Sequence, residues 1–505
     1  MKTKISALPP TSRRSFLKDT ALAAGLLALP GGALSAQAAS IGKNTLRLET
    51  ELPVKLDADV LVVGGGPSGL CAAVAAARNG AKTVLIEQAG CAGGMATTGL
   101  VGPFMTCYNK SQDKMIIKGL FQEVVERLVK RNGAIHPSLV DAPSGFSSWI
   151  TIGHKHLTPF DPEKLKLVAD EMLRDAGVTV LFHTAFAKTL KTNGSLSGIV
   201  INSKNGLEAI RAKIIIDCTG DGDVAAGAGA DFELGDPARK IIQPATLFFR
   251  IGNVNDAALD ADIEKNKANF YRKDGVNYRS FHWWVSKAKE AGDWDLKRVS
   301  IGLFRGNDAG QWSVNTSRLM GVNATDAASL TKAEIDGRQQ VEQIFRFIKK
   351  YLPGCQNAIM LSTAQTVGVR ETRHISGDYK MTTDDLLTCK TPADSILLAS
   401  NSIDVHGRFG PLSNQFTEIE GGEYYGIPYR CLLPAGLNNI LMAGRCISAT
   451  SEAAGAIRLM PLCMGTGQAA GTAAALSINN GNTQPRAVDM TKLRATLQTQ
   501  GAFLG

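Results

Sequence analysis

The sequence predicts an α/β protein. A Rossmann-like domain leads, and a mixed α+β region follows in the middle of the chain. Three observations carry this. A β-branched run, Asp59-Val60-Leu61-Val62-Val63, ends in G-x-G-x-x-G from Gly64 to Gly69. A small-residue helix and a second apolar strand, Thr83-Val84-Leu85-Ile86, follow. Glycine is abundant, 52 of 505 residues, while aromatics are 6%. That composition suits tight βα turns and close helix–sheet packing.

The start of the chain is set aside before fold reasoning. Thr11 to Lys18 reads T-S-R-R-S-F-L-K, then Ala21 to Leu29 is apolar, and Ala36-Gln37-Ala38 is an A-x-A site. This resembles a twin-arginine export signal with Arg13 and Arg14 as its pair. The apolar run is too short to span a bilayer, and Pro30-Gly31-Gly32 breaks it. The expectation is a signal peptide over 1–38, the twin-arginine (Tat) export machinery as partner, and a periplasmic or exported product without stable membrane insertion after cleavage.

The formal net charge is +9, and five of the basic residues fall within that segment. No Lys/Arg block or basic–aromatic stripe follows, which argues against nucleic acid as a partner. Apolar residues are 44% and charged residues 20%, an ordinary globular balance. Nine cysteines occur with no C-x-x-C spacing, so no zinc knuckle, Fe–S run or c-type haem is expected, and no metal.

The first motif after the signal is β–α–β with an acid, Glu87, at the end of the second strand. Gly64 permits the tight turn. Gly66 lets a pyrophosphate approach the backbone. Gly69 lets the helix lie close on the strand. Pro67 and Ser68 open the helix, whose unpaired N–H groups and positive dipole end suit phosphates. Glu87 suits ribose hydroxyls and disfavours a 2′-phosphate, which leaves FAD or NAD. A second Gly-rich loop follows at once, with Gly94 and Met95 inside A-G-G-M-A-T-T-G. It suits a ribityl–phosphate chain passing the backbone, and the alternative is a plain surface turn. Lys213 to Asp217 is a strand ending in a turn with Gly220 and Asp221, and Asn439 to Met442 is another, ending at Gly444.

On these residues the chain resembles the large bacterial FAD-dependent oxidoreductase family of the glutathione-reductase-like two-dinucleotide-fold superfamily. The matching blocks are V-V-G-G-G-P-S-G-L, A-G-G-M-A-T-T-G-L-V-G-P-F, D-C-T-G-D-G-D-V-A-A, Q-P-A-T-L-F-F-R-I-G, V-G-V-R-E-T-R, I-P-Y-R-C-L-L-P, M-A-G-R-C-I-S-A-T and M-P-L-C-M-G-T-G-Q-A-A-G-T-A-A-A. Relatives often have His where Ser451 stands, so this chain departs from the pattern there.

The resemblance implies FAD as cofactor and a discontinuous FAD-binding domain. Its first parts fall in 55–240, after a linker at 39–54, and its last part with a tail in 425–505. A substrate domain is expected at 241–360 and an interdomain, active-site segment at 361–424. Ala185, after the strand at Val178–Phe182, is the candidate for the adenine. The helix at Pro461 is expected to point its N-terminus at the flavin, with Leu462 and Cys463 contributing N–H groups. The alternative is a packed helix away from the ring. The aromatics Phe270 to Trp284 are read as core packing, with a pocket wall as the other role.

For chemistry, His406 in D-V-H-G-R is the first choice as acid/base. Arg445, at a strand end, is a candidate to balance flavin charge or hold a carboxylate. Arg370 in R-E-T-R-H lies in a charge-dense stretch that interdomain ion pairs would explain equally well. Tyr425, near Ile427-Pro428, is a candidate to orient a polar substrate. His154 and His156 are read as a solvated loop.

These expectations describe an exported flavoenzyme that moves a hydride between a small organic substrate and flavin N5. Electrons would pass to a quinone, a cytochrome or oxygen. Two alternatives stay open: a reductase of a double bond fed by an electron carrier, and a non-enzymatic electron-transfer flavoprotein.

Overall fold

The parallel sheet foreseen in the sequence forms, and its strands come from distant stretches of chain. In the computed structural model, residues 39–40, 46–47, 49–192, 194–407 and 414–505 are described. The expected export signal at 1–38 lies outside them. Residues 1–52 and 53–505 are separate units. In the first, Ala39–Ser40 pairs antiparallel with Leu46–Arg47. Everything below belongs to the second.

The first half of the sheet is built in chain order. Strand β1 (Val54–Val63) runs into helix α1 (Pro67–Arg78) and strand β2 (Thr83–Ile86). Val60 to Val63 and all of β2 are buried on both faces, as continuous β-branched runs in parallel sheets are. Helix α2 (Pro162–Asp175) starts at Asp161, whose carboxylate accepts from the Glu163 N–H at 2.7 Å, with Pro162 at the first helical position. It leads to β3 (Thr179–Leu181). A meander follows: β4 (Ala185–Thr192), β5 (Ser195–Ser203) and β6 (Gly206–Asp217). The spatial order is β3-β2-β1-β6-β5-β4. β1, β2, β3 and β6 are parallel, and the meander strands alternate.

The middle of the chain forms a second sheet. β7 (Phe249–Gly252), β8 (Leu303–Arg305), β9 (Trp312–Val314) and, beyond helix α3 (Ala327–Tyr351), β10 (Ile359–Thr363) lie in the order β8-β9-β7-β10, all antiparallel. Phe249, Ile251, Leu303, Trp312 and Val314, with Trp149 and the α3 face of Val341, Ile344, Phe347 and Ile348, belong to a separate apolar cluster. Strands β11 (Ile403–His406) and β12 (Asn414–Thr417) pair as a two-stranded ribbon, and Ile403 and Val405 join the core of the first sheet.

The chain then returns to the first sheet. β13 (Ile440–Met442) pairs parallel with the far half of β6, Ile215 to Asp217. The near half of β6 is occupied by β5, so the edge is shared end to end. Helix α4 (Met460–Asn479) is buried from Met460 to Ser477, as expected for a helix apolar all round. It packs on α1. Among the described residues, no helix is long and apolar enough to cross a membrane. All nine cysteines are unpaired.

Candidate active site

A cavity of about 1130 Å³ opens at the carboxyl ends of β1, β2 and β6. That is the position where open parallel sheets bind ligands. It exceeds the roughly 300–1,000 Å³ of ordinary small-molecule pockets.

One end is a phosphate cradle. Gly64 has φ +97°, and a Cβ there would lie 2.6 Å from the Cys218 carbonyl oxygen. A Cβ on Gly69 would lie 1.8 Å from the Gly64 oxygen, so α1 sits on its own turn as closely as a helix can. Gly66 is the helix N-cap and makes no side-chain cap bond. A Cβ on Gly66 would meet nothing within 4 Å. The first-turn amides of α1 therefore face open space, with the dipole's positive end behind them. Gly64, Gly66, Pro67 and Ser68 line the cavity, while Gly69 is packed beneath it.

Glu87 lines the same end. Its carboxylate accepts from the Gly65 N–H at 2.6 Å and the Ala89 N–H at 2.7 Å. These bonds hold it at the tip of β2. Gly94 and Met95 line the cavity too, and a Cβ on Gly94 would lie 2.8 Å from the Gly66 Cα. The two Gly-rich loops thus touch. Ala185 lines the wall next to Thr184 and Phe186.

Gly220 and Asp221 line the cavity on the β6 side, together with Arg445. The Arg445 guanidinium donates to Asp221 at 2.8 Å and to the Thr372 hydroxyl at 3.0 Å. This ion pair bridges the loop after β6 and the loop after β13. Beneath it, the buried Asp217 carboxylate accepts from the Thr219 N–H and O–H and from the Ala225 N–H. Burial still outweighs these bonds and pushes its pKa up to about 6.

Two expectations are corrected here. Cys463 lines the cavity, but its N–H is already bonded to the Leu459 oxygen at 2.9 Å, and its thiol donates to the Arg458 oxygen. It has no amide to offer. Leu462 has its side chain fully buried, and its N–H lies in the first turn of α4. Gly444 is not on the wall. Its N–H donates to Thr466, and a Cβ there would strike Ser68 at 2.7 Å.

The other end carries polar chemistry. His406 and Asp404 both line the cavity, with His406 Nε2 2.8 Å from the Asp404 carboxylate. Burial lowers the His406 pKa to about 4; Asp404 opposes the shift, and Arg370 and Arg458 add to it. Burial alone would raise the Asp404 carboxyl, but His406, Arg458 and Arg370 hold it below the usual range. The Asp404 side chain is 34% exposed, and that surface opens on the cavity. At neutral pH the pair is a neutral imidazole donating Nε2–H to a carboxylate. That hydrogen bond holds the ring in place on the cavity wall. Arg370 lines the wall, but its guanidinium is committed to the Pro244 oxygen at 2.5 Å and the Thr246 hydroxyl at 2.8 Å. Arg408, next to this pair in the sequence, lies outside the described residues.

Tyr425 is not part of this end. It is fully buried in the core, its hydroxyl donating to the Asn401 oxygen at 3.1 Å. Pairing of its short strand with Ser395–Ala399 turns the ring inward. The solvated-loop reading of His154 and His156 also fails. His156 is buried between the Pro137 and Gln112 oxygens and stacks on Tyr108. His154 lines the cavity, and burial lowers its pKa to about 4. Of the aromatic run, Phe281 is core, Trp283 and Trp284 donate to Asp262, and Phe270 reaches the cavity. Among the described residues, no group of three or more His, Cys, Asp or Glu gathers as a metal site.

Two wall residues escaped the sequence reading, Arg279 and Arg298. Neither sits in a motif. The one local sign is that Arg279 falls inside the aromatic run, between Tyr278 and Phe281.

Fold and cradle together define a dinucleotide-binding α/β protein of the flavoprotein type. The chain belongs to the FAD dependent oxidoreductase family, which it matches over residues 59–497. FAD is therefore its cofactor, and the open space at Gly66 fits the pyrophosphate. The chain is similar to mitochondrial dihydrolipoyl dehydrogenase of Caenorhabditis elegans, 26% identical over 44% of this chain and 46% of that one. It is also similar to thiamine thiazole synthase of Methanococcus vannielii, 28% identical over 37% of this chain and 66% of that one. The chain thus spans less than two thirds of either relative. Among solved structures, it is similar to a geranylgeranyl bacteriochlorophyll reductase-like protein from Thermoplasma acidophilum, at 16% identity, covering 88% and 85% of the chains with a TM-score of 0.43.

Proposed function

We propose that this oxidoreductase is exported, moves a hydride between a small organic substrate and N5 of FAD, and passes the electrons to a non-nicotinamide acceptor. Bound FAD supplies the two-electron acceptor. The chain supplies the rest. The helix α1 terminus and Glu87 hold the cofactor's pyrophosphate and ribose. Asp404 orients His406, whose basic nitrogen takes the substrate proton as the hydride leaves carbon. In that direction the substrate loses two electrons and two protons.

The observation that carries this reading is the His406–Asp404 pair on the wall of the same cavity that begins at Gly66. The N-terminal twin-arginine pattern supports export, and an exported enzyme has no ready nicotinamide supply. A quinone, a cytochrome or oxygen would then serve as acceptor.

The test is anaerobic mixing of the purified, FAD-loaded protein with candidate substrates and, separately, with NADH. Substrate should bleach the flavin's visible absorption, and an added quinone should restore it. Rapid bleaching by NADH would defeat the choice of acceptor.

A further inference from the structure

The field of Asp404 reaches five arginines, Arg279, Arg298, Arg318, Arg370 and Arg458, and all of them but Arg318 line the cavity. Three are accounted for. Arg370 holds the Pro244 oxygen, Arg458 donates to the Asp404 backbone oxygen, and Arg318 bonds elsewhere.

Arg279 and Arg298 differ. Both line the cavity, yet among the described residues neither guanidinium has a hydrogen bond or ion pair, and the Arg298 Nε is buried without a partner. Burial lowers the pKa of Arg298 to about 9, and Arg318 and Arg279 add repulsion. Burial likewise lowers the pKa of Arg279. Glu418 also lines the cavity, but it is not among the charges acting on either. Asp404 opposes both shifts, but it makes no ion pair with either arginine and also faces His406, Arg370 and Arg458; two like charges so thinly compensated are costly to keep. Such an arrangement marks a site that waits for an anion.

The backbone fixes both in place. The Arg279 N–H donates to the Ser300 hydroxyl at 2.9 Å, and the Ile301 N–H to the Ser280 oxygen at 3.1 Å. The Trp294 indole donates to the Arg298 oxygen at 3.1 Å. The two arginines therefore rise from adjoining, tied segments. Both belong to the middle of the chain and not to the Gly66 cradle, so the cofactor's phosphates are not their partner. The neighbouring wall is aromatic, with Phe248, Phe270 and Phe304.

We propose that Arg279 and Arg298 form a carboxylate clamp, and that the substrate is a small organic acid whose carboxylate they hold while its apolar body lies on the phenylalanine wall. A guanidinium's planar fork matches a carboxylate in bidentate fashion, and two forks on one anion fix its orientation. This rests on the flavoenzyme reading above and names the class of its substrate.

The test is calorimetric titration of the FAD-loaded protein with benzoate, phenylacetate and succinate, and with their methyl esters. Flavin content is read from the visible spectrum of the same samples. At least one acid should bind, its ester should bind roughly thirtyfold more weakly or worse, and Arg298→Gln should weaken the acid by a similar factor. Arg298→Lys should recover part of that loss, because charge returns without the fork. Arg279→Gln serves if Arg298→Gln does not fold. Equal binding of acids and esters, undiminished binding to the Gln variant, or no binding of any acid would each overturn the clamp. Colourless protein that still binds acids in an arginine-dependent way would sink the flavin reading and leave the clamp standing.

Discussion

Gly467 approaches α1 so closely that a Cβ added to it would lie 2.0 Å from the Ser68 carbonyl oxygen. One turn on, Gly471 stands in the same relation to Ala72, at 2.1 Å. Two glycines one turn apart thus let α4 lie against the helix whose N-terminus faces the cavity. The contact joins the last part of the sheet domain to the first, and it sets where the α1 terminus points.

Gly467→Ala has no room to be absorbed, because the obstacle is backbone. The helices must separate, and overpacking of this kind costs about 1–3 kcal/mol. The urea midpoint should fall with an unchanged slope, and flavin should be lost on dilution more readily than from the wild type.

Gly66→Ala separates folding from binding. Gly66 has φ −65°, which any residue adopts, and the new methyl would meet nothing within 4 Å. Folding stability should stay within about 0.5 kcal/mol of wild type. The methyl would instead occupy the open space beside the first-turn amides that would hold the pyrophosphate. FAD content after gel filtration should drop sharply at an unchanged urea midpoint. Normal FAD content would remove the cradle from the account.

Asp217 is the keystone under the cofactor loop. One carboxylate oxygen accepts twice from Thr219 and the other accepts from the Ala225 N–H. Asp217→Asn keeps the first oxygen but turns an NH₂ toward the Ala225 N–H, or the reverse. A buried donor left unpaired costs about 1–3 kcal/mol. Chemical denaturation should show that loss. The acid itself adds a pH term: its folded pKa is raised to about 6. The folded state therefore holds the extra proton between the unfolded value and about 6, and this contribution to stability is lost as pH rises through that window.

How far the sequence could be read depended on how local each signal was. The α/β class and the FAD cradle rest on residues adjacent in the chain: Val60 to Gly69, then Glu87 at the end of the next strand. Spacing there encodes geometry directly. The far end of the cavity has no such code. His406 stands out because D-V-H puts acid and imidazole on the same face of one strand, two residues apart. Arg279 and Arg298 meet only through a tied pair of segments 19 residues apart, and nothing in their flanks announces that they lack partners. Tyr425 reads as a site residue because it is polar and near a proline, yet strand pairing turns it into the core. His156 reads as solvated because G-H-K-H is polar. Carbonyls from Pro137 and Gln112, distant in sequence, bury it.

The His406–Asp404 pair makes the last prediction. Burial, with Arg370 and Arg458, lowers the histidine to about 4, from 6.5 in an unfolded chain. Its basic form is therefore the resident form across neutral pH. Turnover should be flat from about pH 8 to pH 5 and decline as pH approaches 4, with no step near 6.5. His406→Gln should reduce kcat by about 10²–10⁴, the usual worth of a positioned acid/base, with flavin content intact. The same shift acts on stability. Between 6.5 and about 4 the unfolded chain binds a proton that the folded chain refuses, so stability is full above 6.5 and is lost as pH falls through the window. The loss amounts to roughly 3 kcal/mol over that range. Urea titrations at pH 7 and pH 4.5 should show a larger difference for the wild type than for His406→Gln. Equal differences in the two proteins would mean that the imidazole titrates normally and is not the buried base.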